Sequence, residues 1–173
     1  MKNNKIKWLC KTSLMIALLI VLQTVTKAFG QIVTGSCVNT VLAVSVLIVG
    51  LSCGITVALL SPFFAFLLGI GPQLFPIIPA IAAGNCVFVF ALYLICKKDF
   101  YIIRSAAACA VSSFAKFLTL NLLIVQLLCP LLELPEKQVN MFSTMFSWPQ
   151  LITALIGSAI ALILVPRIKF LIK

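Results

Sequence analysis

Gly35 to Asn85 reads GSCVNTVLAVSVLIVGLSCGITVALLSPFFAFLLGIGPQLFPIIPAIAAGN, without one charged side chain. A stretch of that length cannot be kept in water by its own surface, so lipid is the solvent for much of it. Two apolar runs meet at a Gly50-x-x-x-Gly54 turn. Against this background Asn39, Ser61, Asn85 and the prolines at 62, 72, 76 and 79 stand out. Each sits where an apolar helix former would cost less, which marks it for a packing role or for lining a site.

The rest of the chain follows the same pattern. Its 173 residues are 63% hydrophobic and 9% charged, against roughly 25% charge in soluble proteins. The reading is an all-α integral membrane protein, one membrane domain over 1–173, with six transmembrane helices. A net charge of +10 would suit nucleic acid, but the basic residues cluster at the ends of apolar spans instead of forming a stripe among aromatics. Seven cysteines are scattered with no CxxC pair, and histidine is absent. The cysteines therefore read as small buried apolar residues, and the commonest general base and transition-metal ligand is missing.

The spans are expected at about 9–29, 38–49, 51–68, 77–96, 102–128 and 148–165. The basic start and apolar run at the N-terminus read as a retained first helix, since no small-residue cleavage site follows promptly. Gly30 to Cys37, Gly69 to Pro79 and Cys129 to Ser147 read as connections, and Pro166 as the stop of the last helix. On this map Lys2, Lys5, Lys7, Lys11, Lys97, Lys98, Arg104, Arg167, Lys169 and Lys173 fall on one side, and Lys27 and Lys137 on the other. That asymmetry puts both termini in the cytoplasm.

Lys116 is the ionisable residue inside a span, near the midplane, at a cost of at least about 2.5–3.5 kcal/mol. No acid lies in any span, so it meets carbonyls and water, snorkels, or faces a cavity and a ligand group. Asn85 follows Ala82-Ala83-Gly84, which permits close approach; it serves a ligand or an interhelical hydrogen bond. Asn39 is similar, with an N-cap as the rival. Trp148 opens the last helix as an interfacial belt residue or a stacking group. Gln150, Thr153 and Gly157 share a face that could complete a polar wall opposite Lys116. The acids Asp99, Glu133 and Glu136 cannot pair inside the membrane, and no phosphate loop, nucleophile elbow or metal-ligand spacing occurs, so catalysis has little to stand on.

Taken in order, Gly35-x-x-Val38-Asn39, Gly50-x-x-x-Gly54, Ser61-Pro62-x-x-Ala65 with Leu68-Gly69, Pro76-x-x-Pro79 leading to Gly84-Asn85, Lys116-Phe117, and Ser147-Trp148-Pro149-Gln150-Leu151 resemble the substrate-binding S components of energy-coupling factor (ECF) transporters. The resemblance implies a multi-pass protein of the bacterial plasma membrane that captures a vitamin-like micronutrient from the extracellular side. It implies a membrane coupling subunit and two ATPase subunits as partners, with ATP used by those partners and no cofactor or metal held by this chain. The implied substrate contacts are Asn39, Asn85, Lys116, Trp148 and Gln150, in a pocket walled by the outer loops and the later helices. Ser13 and Ala17 approximate the Ala-x-x-x-Ala pattern by which the first helix docks on the coupling subunit. The alternative is a membrane structural or assembly protein without a ligand, whose polar residues only pack helices.

Overall fold

The computed structural model describes residues 2–96 and 102–172, and among them all regular structure is helical. Lys97, Lys98, Asp99 and Lys173, which enter the charge count above, lie outside the described residues. Helix α1 (Lys2–Thr26) passes through a 3-10 turn into α2 (Gly30–Val44), which ends in a wider π-helical turn, Ser45–Val49. Then come α3 (Leu51–Leu67), α4 (Ile78–Cys96), and α5 (Ile102–Leu120), which continues as π-helix over Asn121–Leu128. A single turn, α6 (Cys129–Leu131), precedes α7 (Glu136–Met145) and α8 (Trp148–Ile172).

Four stretches of helix are long and apolar enough to cross a membrane: Asn4–Val49, Phe75–Cys96, Arg104–Leu131 and Glu136–Leu171; α3 is apolar but shorter. The first of these is α1 and α2 laid back to back. The Thr34 hydroxyl donates to the Thr26 carbonyl across the reversal between them. At Gly50 the backbone takes φ +119°, a conformation closed to side chains with a Cβ, which lets α3 start immediately after the π-helical turn.

Cross-helix contacts set the directions. Trp8 to Ser52, Gln23 to Ser61 and Lys27 to Leu68 run α1 parallel to α3. Ser61 meets Asn85 while Gly54 meets Val89, so α3 and α4 are antiparallel. Gly84 packs on Leu120 and Phe88 lies by Lys116, so α5 reverses again. Gly35 faces Thr153 and Thr40 donates to the Gly157 carbonyl, which makes α2 and α8 parallel. Successive long helices therefore alternate. Lys5, Lys7, Lys11, Arg104, Arg167 and Lys169 gather toward the end that holds the start of α1, and Lys27 and Lys137 toward the other. The main core lies between α1, α2, α3, α4, α5 and α8 around Leu42, Val57, Phe88 and Leu92. Leu14, Leu67, Leu94 and Ile163 face outward, as a lipid-facing surface requires.

Three expected boundaries differ. Gly30 to Cys37 is the first part of α2, not a connection: the Ser36 hydroxyl donates to the carbonyl one turn back, and that residue and Gly35 are small where α8 comes close. Cys129 to Ser147 contains α7, whose Phe142, with Phe146 just beyond its end, is buried against Ile77, Leu120 and Ile124. Helix α8 runs through Pro166 to Ile172.

Candidate functional site

At the end of the bundle opposite the start of α1 is a cavity of about 420 Å³. Helix α1 and the turn after it contribute Gln23 and Lys27, and α2 contributes Gln31, Thr34, Gly35 and Asn39. From α3 come Ser61, Pro62, Ala65 and Phe66; Ile78, Ile81 and Asn85 belong to α4 and Lys116 to α5. The rim is Gly69 to Pro72 on one side and Met145, Phe146 and Gln150 on the other. Lys27 Nζ donates to the Leu68 carbonyl at 2.7 Å and Gln31 Nε2 to the Met145 carbonyl at 2.8 Å, tying the turn between α1 and α2 to both halves of the rim.

Lys116 is 3% exposed, and its amine neither reaches the bundle surface nor meets an acid. Glu133 and Glu136, the acids among the described residues, are both exposed. Its Nζ donates to Asn39 Oδ1 at 2.5 Å and lies 5.6 Å from the centroid of the Phe88 ring, a cation–π contact worth about 0.5–2 kcal/mol. Asn39 Nδ2 donates to Thr153 Oγ1 at 3.3 Å, and Thr153 Oγ1 donates to the Gln150 carbonyl at 3.1 Å. The direction of this chain is forced, because an ammonium can only donate and a carbonyl can only accept. The chain joins α5, α2 and α8, and uses one of the three Lys116 donors.

Gly157 makes the chain possible. A Cβ there would come 2.6 Å from Asn39 Cβ and 2.6 Å from the Ser36 carbonyl oxygen, so only glycine lets α8 close on α2 with Asn39 between them.

Of the expected contacts, Asn39, Asn85, Lys116 and Gln150 line the cavity. Asn39 is buried inside α2, well past its start, so the N-cap alternative is gone. Asn85 makes an interhelical bond as well, its Nδ2 donating to Ser61 Oγ at 3.0 Å. Trp148 is not in the cavity lining: it is 69% exposed and stacks on Phe117 with ring centroids 6.2 Å apart. The first position of α8 points it away from the bundle interior, while Gln150 and Thr153 follow on the inner side. The connection from Gly69 to Pro72 and helices α4, α5 and α8 all line the cavity, and α1, α2 and α3 supply much of its wall besides. Gln23, Lys27, Gln31 and Thr34 were missed, although a polar cluster at the end of an apolar helix was a visible signal.

A family model described as "ECF transporter, substrate-specific component" matches residues 7–169. The chain belongs to that family. Searches of curated proteins and of solved structures find no match. As an ECF substrate-specific component it is a membrane transport protein and not an enzyme, and its family implies a small-molecule substrate and an ECF module as partner. Ser13 and Ala17 of this component are exposed on α1, beside Leu14, Leu18 and Val21.

Proposed function

We propose that this component captures a small anionic organic micronutrient, vitamin-like in size, from the extracellular side of a bacterial plasma membrane. Release inward follows when a coupling subunit and two ATPase subunits hydrolyse ATP. Six crossings with both termini cytoplasmic are favoured by the alternating helices and by the basic residues gathered toward the end where α1 begins. With that orientation the cavity opens outward. Its volume of about 420 Å³ lies within the roughly 300–1,000 Å³ of small-molecule sites.

One observation carries the reading: a buried amine in the lining of the cavity, held by a neutral amide and, among the described residues, by no carboxylate. The missing negative charge is the ligand's to supply, as a carboxylate or phosphate on the two free N–H groups of Lys116. Asn39, Asn85 and Gln150 complete the binding set. The exposed Ser13 and Ala17 on α1 are the docking surface for the coupling subunit.

Native mass spectrometry of the protein purified from its host tests this. A retained anionic molecule that disappears in a folded Lys116→Met variant supports it. An assembly role without a ligand predicts instead that no molecule is retained by the parent protein.

A further inference from the structure

Gln23 and Asn85 both line the cavity, and each is 2% exposed. Both amides are held through their NH2 groups on one residue of α3. Gln23 Nε2 donates to the Ser61 carbonyl at 3.2 Å, and Asn85 Nδ2 donates to Ser61 Oγ at 3.0 Å. The two amide oxygens, Gln23 Oε1 and Asn85 Oδ1, are buried with no hydrogen-bond partner. For Gln23 the orientation is chemically forced: a backbone carbonyl only accepts, so the NH2 must face it and the oxygen must be the orphan.

Buried acceptors are ordinarily paired, and an orphan in a native structure calls for a reason. Here two of them flank a single serine in the wall of one cavity, and that cavity also holds an ammonium with donors to spare. The site is thus divided by hydrogen-bond sense. Lys116 has N–H groups to give, and the Gln23–Ser61–Asn85 cluster has oxygens to fill.

We infer that the molecule selected here carries a donor edge as well as an anionic group: N–H or O–H groups of an amide, ureide, amino-substituted ring or diol, which pair with Gln23 Oε1 and Asn85 Oδ1. This rests on the capture reading above and names the substrate class more narrowly. A ligand without donors seals both oxygens in unpaired, and a site built this way rejects such an analogue far more strongly than a merely apolar pocket would.

The test uses five probes on the purified protein in lipid nanodiscs, followed by ligand-observed NMR titration: benzoate, 3- and 4-aminobenzoate, and the N,N-dimethyl counterpart of each amine. Ring and carboxylate stay the same while the N–H donors are removed. At least one amino isomer is expected to bind about tenfold tighter than its dimethyl counterpart. Gln23→Met is expected to cut that ratio below about threefold, because the acceptor for the N–H donor is gone. Equal affinity of each amino isomer and its dimethyl counterpart in the parent protein overturns the donor-edge inference and leaves anion capture standing. Benzoate binding that is absent, or unchanged by Lys116→Met, refutes the capture reading itself.

Discussion

Changing Asn39 to aspartate replaces one NH2 group by an oxygen and turns an open cation site into a closed ion pair. Asn39 is 1% exposed and its Oδ1 already accepts from Lys116 Nζ, so the new carboxylate meets the amine without any rearrangement of α2 or α5. At an effective dielectric constant near 20, two unit charges about 4 Å apart attract by about 4 kcal/mol. Desolvating the new carboxylate costs several kcal/mol and cancels much of this. Thr153 loses a donor at 3.3 Å, but its hydroxyl can turn from the Gln150 carbonyl and donate to the aspartate. Stability should therefore change by no more than about 2 kcal/mol.

Binding should change much more. An anion arriving at the cavity now finds Lys116 neutralised and loses a charge-assisted hydrogen bond worth about 1.5–3 kcal/mol, a weakening of about 10- to 150-fold. Titration of benzoate into parent and Asn39→Asp protein in nanodiscs, with thermal unfolding of both, reads the two quantities separately. Benzoate affinity within about threefold of the parent would show that the Lys116 charge does not attract the ligand, and the reasoning fails.

Lys116→Met should fold, because the orphaned Asn39 oxygen costs about 1–3 kcal/mol while removal of a membrane-buried ammonium returns about 2.5–3.5 kcal/mol. Its benzoate binding should fall at least about tenfold, measured by the same titration. Gly157→Ala should destabilise by about 1–3 kcal/mol in thermal unfolding, since the added methyl meets the Ser36 carbonyl and the Thr40 amide as well as Asn39. Gly84→Ala should also destabilise by about 1–3 kcal/mol, because its Cβ would come 2.6 and 2.7 Å from Cδ2 and Cγ of Leu120, a fully buried side chain; a variant as stable as the parent would refute this. Trp148→Ala should leave benzoate affinity within about twofold of the parent, as its ring contacts Phe117 outside the cavity lining.

Much of this protein was legible in its sequence because the deciding quantities are local. Apolar runs, their lengths and the charges between them depend only on neighbouring residues, and they yielded the helical membrane class and most helix positions. Lys116 stood out for the same reason, since a lysine amid Phe114, Phe117 and Leu118 is anomalous without reference to any other helix. The family, too, was readable from the order of short motifs. Helix α7 had a signal that its polar residues obscured: Val139, Phe142 and Phe146 repeat at helical spacing and supply the apolar face packed on α4 and α5.

What pairs with what was decided only by the tertiary structure. Lys116 and Asn39 are 77 residues apart, and Asn39 and Thr153 are 114. No periodicity in the chain says which face of α2 turns toward α5 or how closely α8 approaches. The packing of Gly157 against Asn39 sets that approach. Gln23 shows the same limit from the other side: within the expected first span nothing local sets it apart as a cavity wall, and it becomes one because α1 lies parallel to α3 and brings its amide to Ser61. Burial and partnership belong to the packed bundle, where helices distant in the chain share one small volume, and they appear only when all of those helices are in place.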